Sequence, residues 1–129
     1  MTDKQLIDSA LKAIENAYAP YSKFRVGAAL LTKSGNVYTG CNVEIASFGA
    51  TNCAERTAIF MAVSQEGKID IKKIAIVSDD QDYIYPCGIC RQVMAEFADD
   101  EMELICTNKN GEYKTIRFGD ILPNAFRRF

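Results

Sequence analysis

Cys53-Ala54-Glu55 sets a thiol and a carboxylate two positions apart, and Cys87-Gly88-Ile89-Cys90 adds two thiols at C-x-x-C spacing. Three of the five cysteines thus fall in two short phrases, each opening a run with helical patterning. Thiols at helix starts sit in the positive end of the helix dipole, which favours thiolate. Three thiolates are a tetrahedral zinc site with one open position, the pattern of a catalytic rather than a closed structural metal. A C-x-x-C taken alone could equally be a redox pair, but the order of elements supplies no thioredoxin-like context. Cys53 beside Glu55 shifts the reading towards metal. The chain has no histidine, so acid–base work must fall to a carboxylate, lysine or tyrosine.

Residues i and i+2 do not share a helix face. Cys53 and Glu55 can therefore enter one site only if Cys53 stands at the helix end, outside helical backbone angles. The plainer role for Glu55 is an acid complementing the dipole in a first turn. That role gives no reason for the cysteine before it or for Arg56 after it. Three thiolates around a dication form an electron-rich centre, and Arg56 donating to the sulfurs would draw off that charge. Arg91 could act in the same way or be a solvated surface residue. Cys41 and Cys106 lie in apolar strand phrases and read as inert thiols.

The elements that must position these residues follow from periodicity. A helix is expected from about Asp3 to Tyr18, with Leu6, Ala10, Ile14 and Tyr18 on one face, capped by Thr2 or Asp3 and ended by Pro20. VGAALLT, the turn KSGN and VYTGCNV read as a hairpin whose first strand is apolar on both sides. A second helix is expected over about Thr51 to Glu66, ended by Gly67, then a strand KKIAIVS at residues 72–78. A third helix follows over about Gly88 to Ala98, and ELICT and YKTIRF pair across an Asn-Gly turn. The economical architecture is a mixed sheet of about five strands with helices packed on its faces, in a single domain spanning residues 1–129.

Composition limits the function classes. With 129 residues, 48% hydrophobic and 25% charged, the chain can bury a core without disulfides. A net charge of −2, with no basic stripe beyond Arg127-Arg128, argues against nucleic-acid binding. No apolar run approaches membrane-spanning length, Met1-Thr2-Asp3-Lys4 does not begin a signal peptide, and the odd cysteine count fits a reducing compartment. A cytoplasmic protein is expected.

Cys53-Ala54-Glu55 followed by Pro86-Cys87-Gly88-Ile89-Cys90 resembles the signature of the zinc-dependent nucleoside deaminases, and the small cytidine deaminases in particular, from about Leu6 to Phe126. The resemblance implies a three-layer α/β/α fold, one zinc ion per subunit on Cys53, Cys87 and Cys90, and Glu55 as the proton carrier in conversion of cytidine to uridine and ammonia. It also implies that Asn42 and Glu44 grip the ribose hydroxyls, that Ala54 and Phe24 line the pocket, and that Phe126 stacks on the base. The family is typically homotetrameric, one subunit's loop completing its neighbour's site. Here that loop, which holds Ala46, carries Ile45 and Phe48 where an asparagine and a tyrosine are usual. Pyrimidine salvage is the implied setting. The rival readings are a deaminase of a modified cytosine nucleoside, an editor of single-stranded nucleic acid, which would need a basic channel, and a structural zinc module closed by Cys41 or Cys106.

Overall fold

A computed structural model describes residues 1–127 of the chain. Of the basic, apolar stub expected at the chain end, Arg128 and Phe129 lie outside the described residues. The five strands are β1 (Val26–Thr32), β2 (Val37–Cys41), β3 (Ile71–Ser78), β4 (Glu103–Thr107) and β5 (Tyr113–Arg117). They form one sheet in the order β2-β1-β3-β4-β5. Only β3 and β4 pair in parallel; every other neighbour is antiparallel. The helices are α1 (Asp3–Ala13), α2 (Ala54–Glu66), α3 (Gly88–Phe97) and the short α4 (Phe118–Ile121).

Alternation along the central strands divides the core into two layers. Ala29 and Leu31 of β1, Ala75 and Val77 of β3, and Ile105 of β4 meet Leu6, Ile7 and Ala10 of α1 and Ile14 just beyond its end. The opposite residues, Ala28 and Leu30, Ile74 and Ile76, Leu104 and Cys106, pack against Ala58, Ile59 and Ala62 of α2 and Cys90 and Met94 of α3. All seven residues of β1 are buried, as expected for a strand covered on both faces. The expected α/β/α sandwich with a mixed five-stranded sheet is the fold observed.

The first helix departs from expectation at its end. Thr2 caps it in a reciprocal box with Gln5, but α1 stops at Ala13 and passes through a 3-10 turn at Ile14–Asn16. Tyr18 is exposed, not on the buried face, because its backbone is extended alongside Val43: Tyr18 N–H donates to Asn42 O, and Glu44 N–H donates to Tyr18 O. Two unforeseen elements are a 3-10 turn at Phe48–Ala50 and α4, whose Phe118 is fully buried.

Two contacts fix α2 on the sheet. At its start, Gly40 of β2 permits close approach: a Cβ there would lie 2.5 Å from Ala58 N and 2.8 Å from Ala54 O. At its end, Glu66 places a negative charge where the helix dipole disfavours it. Three donors from the β1–β2 hairpin offset this, Ser34 Oγ at 3.0 Å, Asn36 Nδ2 at 2.7 Å and Tyr38 Oη at 2.6 Å. The Tyr38 hydroxyl foremost, with Asn36, holds the Glu66 carboxyl below the ordinary carboxylate range.

Gly40→Ala should therefore destabilise the fold by about 1–3 kcal/mol through overpacking against helix backbone, read as a lowered midpoint in denaturant unfolding. A depressed carboxyl contributes stability above its unfolded value and loses it as pH falls through its folded one. Glu66→Gln should accordingly flatten the loss of thermal stability on acidification below about pH 4.5, measured as melting temperature against pH.

Candidate metal centre and active site

The start of α2 meets the geometric condition that the sequence imposes. Cys53 is the N-cap of α2 with extended backbone angles, φ −74° and ψ 156°, and Ala54 is the first helical residue. Cys87 caps α3 in the same way, φ −69° and ψ 170°. Neither cap uses its side chain to satisfy the helix amides, so both sulfurs are free to face a common point. Cys90, one turn into α3, is fully buried and completes the group.

The sulfur atoms of Cys53, Cys87 and Cys90 all lie within 4.8 Å of one another, with Cys53 Sγ and Cys87 Sγ 4.0 Å apart. Ideal tetrahedral zinc thiolate coordination places sulfurs about 3.8 Å apart, so the group is close to coordination spacing. Among the described residues no fourth cysteine or carboxylate joins it. Cys41 and Cys106 stand outside the cluster as free thiols, and burial pushes both thiols up, that of Cys106 to about 11. Three soft donors and no fourth match an open zinc site and leave a closed four-thiol module without its last ligand.

The electrostatics favour negative charge on one sulfur of the group, that of Cys53. A hydrogen bond from Cys90, aided by Arg56, brings Cys53 down to about 5, while that shared bond and burial push the Cys90 thiol up. Arg56 Nη2 donates to Cys53 Sγ at 3.3 Å. Its Nε is buried without an acceptor among the described residues. A buried orphan donor is costly, and negative charge on the neighbouring Cys53 sulfur, which the same guanidinium contacts, would offset part of that cost. Arg91, considered as a second donor to the sulfurs or a solvated residue, has another role in the structure. It ties backbone together, Nε donating to Pro86 O at 2.8 Å and Nη1 to Ile121 O at 2.9 Å.

Glu55 is only 4% exposed, and burial foremost, with the neighbouring Cys53 charge, raises its carboxyl to about 7. It reaches a cleft of about 350 Å³ whose walls also include Cys53, Ala54 and Cys87. The same cleft takes in Phe24, Asn42 and Glu44. Asn42 is held from both ends, its Oδ1 accepting from Val26 N–H at 3.0 Å and its Nδ2 donating to Phe24 O at 2.8 Å. One amide N–H remains for a ligand. Glu44 Oε1 accepts from Tyr21 N–H and Ser22 N–H, each at 3.0 Å, and Oε2 accepts from Ser22 Oγ. These bonds, that of the Ser22 hydroxyl first, hold the Glu44 carboxyl below its ordinary range.

The remaining expected residues lie elsewhere. Ala46 and Phe48 are on an exposed loop, Phe48 with its ring 6.5 Å from Tyr21 in an edge-on contact. Phe48 borders a second depression of about 420 Å³ that shares Ser22, Glu44 and Thr51 with the cleft. Phe126 is 63% exposed and lies outside the walls of its own chain's cleft, with its carbonyl accepting from Gln92 Nε2. The sequence reading missed Ser22, Val26, Thr51, Asn52, Ile84 and Tyr85 as cleft residues. The signal available for Ser22 was a Pro-Tyr-Ser-Lys turn after the first helix.

A family model described as the cytidine and deoxycytidylate deaminase zinc-binding region matches residues 1–106. The chain belongs to this family. It is 49% identical to a cytidine deaminase of Halalkalibacterium halodurans over 98% of this chain and 95% of that protein. The crystal structure of cytidine deaminase from Burkholderia pseudomallei superposes with a TM-score of 0.90 at 49% identity, covering 98% of this chain and 100% of the other. A blasticidin-S deaminase of Bacillus cereus is 32% identical over 98% of this chain and 93% of its own length. The family is defined by its zinc-binding region, and the three clustered thiols fit one zinc per chain.

Removal of one thiol should empty the centre. Cys87→Ala purified in zinc-containing medium should hold less than about a tenth of the zinc of the native chain, measured by elemental analysis. Glu55→Gln, which keeps all three sulfurs, should retain it in full.

Proposed function

We propose that the chain catalyses hydrolytic deamination of cytidine, and of deoxycytidine, to the uracil nucleoside and ammonia. One observation carries this reading: a buried carboxyl, Glu55, opens into the same cleft as two of the clustered thiols, Cys53 and Cys87, and the Asn42–Glu44 pair. Family membership and the near-full-length similarity to cytidine deaminases support it.

The reaction exchanges the exocyclic C–N bond of the pyrimidine for a C–O bond from water. Zinc on Cys53, Cys87 and Cys90 would supply Lewis-acid activation of that water near neutral pH. Glu55 accepts a proton from the water and hands it to the adjacent ring nitrogen, so that oxygen adds to the ring carbon bearing the amine. It then carries the second proton to the departing amine, which leaves as ammonia. One carboxylate alternating between base and acid needs to reach both atoms without changing place, and a helix first turn packed into the core gives that fixity. Arg56, donating to Cys53 Sγ, draws negative charge from the sulfurs.

Asn42 offers a spare donor and Glu44 a spare acceptor across the cleft, a match for sugar hydroxyls, with Ala54 and Phe24 as walls. Phe126 and the loop with Ile45, Ala46 and Phe48 act across subunit contacts in a homotetramer. Their exposure as apolar groups favours that role, Phe48 being 78% and Ile45 39% exposed. We place the enzyme as a single domain of residues 1–129 in cytoplasmic pyrimidine salvage. Free thiols and the lack of any described helix long and apolar enough to cross a membrane are consistent with that setting.

The test is the fall in ultraviolet absorbance as zinc-loaded protein converts cytidine to uridine. The native chain should convert it, and Glu55→Gln, still holding zinc, should lose at least about a thousandfold in kcat. No conversion by the zinc-loaded native chain would overturn the reading.

A further inference from the structure

The segment Ala19 to Phe24 joins α1 to β1 and contributes more to the cleft than its sequence reading assigns. Lys23 N–H donates to Ala19 O at 3.0 Å, closing a turn in which Lys23 takes the left-handed backbone, φ 61°. Such a conformation is uncommon for a lysine, and here it folds the chain so that two consecutive amides, of Tyr21 and Ser22, point at one oxygen of Glu44. A carboxylate offers about four acceptor directions. Both on Oε1 are taken by these amides, and one on Oε2 is taken by Ser22 Oγ. A single acceptor direction is left.

The Ser22 hydroxyl has one proton and two acceptor sites. Phe24 N–H donates to Ser22 Oγ at 3.0 Å, so that contact uses an acceptor site and leaves the proton for Glu44. One hydroxyl therefore joins the backbone of an aromatic cleft wall to a carboxylate of the same cleft, and both residues line it together with Ser22.

We propose that Ser22 is a positioning residue for substrate selection: its hydroxyl fixes Glu44 so that the one remaining carboxylate acceptor faces the sugar hydroxyls of the nucleoside. This rests on the proposed nucleoside deamination and adds to it how the sugar is read. Because the amides alone would hold Oε1 but leave the carboxylate plane free to turn about it, loss of the hydroxyl should loosen recognition of the sugar and leave the chemistry at the base untouched.

The test compares two substrates that differ only in those hydroxyls, cytidine and 2′,3′-dideoxycytidine, with native chain, Ser22→Ala and Ser22→Thr. Ser22→Ala should raise KM for cytidine about tenfold with kcat within about twofold. Its kcat/KM for the dideoxy substrate should stay within about twofold of native, and Ser22→Thr, which keeps the hydroxyl, should restore cytidine KM. Where turnover of the dideoxy compound is too slow to follow, its inhibition constant against cytidine gives the same comparison. An equal loss on both substrates would assign Ser22 to the fold or the Phe24 wall and overturn the proposal, as would no change on either. A native chain that does not distinguish the two compounds also overturns it. Should Ser22→Ala not fold, Ser22→Cys, whose thiol is a weak donor, takes its place in the comparison. Failure of the native zinc-loaded chain to deaminate cytidine would instead strike at the proposed function itself.

Discussion

Three sulfur atoms drawn from chain segments 34 residues apart must come within 4.8 Å of one another, and much of the remaining architecture serves that requirement. Thiols converging in a protein interior repel one another as they ionise, so their scaffold must be stiff before any ion compensates them. Stiffness comes from placing each pair of flanking residues at a helix start and seating both helices on the same face of one sheet. The parallel β3–β4 pair, spanned by α3, and the glycine contact between β2 and α2 set where those starts fall. Arg56 is part of the same requirement, since its guanidinium lies against Cys53 from the turn that follows.

How far the site was legible depended on whether a residue's role is written locally. Cys53 and Glu55 were readable together because a two-residue spacing makes sense only at a helix boundary, and the extended backbone of Cys53 meets that condition. The C-x-x-C pair at the start of α3 and the two-sided burial of β1 were readable for similar reasons, short patterns with one consistent geometry. Arg91 illustrates the opposite case. Nothing beside it in sequence reveals that its acceptors are a carbonyl five residues back and another thirty residues on. Tyr18 had the right spacing for a helical face, yet tertiary pairing with Val43 won over helical periodicity.

The sugar side of the cleft was the least legible part. Asn42 and Glu44 look like an ordinary polar strand end, and only the family resemblance singled them out. What distinguishes them is how many of their polar atoms the fold already uses: each is gripped by backbone of residues 21–26, at and just before the start of β1. Glu44, with three of its acceptor directions filled by its own chain, presents a single directed vacancy, and Asn42 keeps one donor and one acceptor direction. That property belongs to three-dimensional contacts at sequence separations of sixteen to twenty-three residues, beyond any local pattern.

The link from Arg91 to the carbonyl of Ile121, together with the fully buried Phe118 in the same core as Cys90 and Met94, bears on the order in which the molecule is made. On the ribosome, the cysteines of α3 emerge well before the residues that brace them. The turn at Pro86 and the core beneath Cys90 are complete only when the segment around α4 has left the exit tunnel. A chain halted before α4 would therefore carry all three thiols yet lack the contacts, of Arg91 with Ile121 and of Phe118 with the core, that brace α3 beneath them.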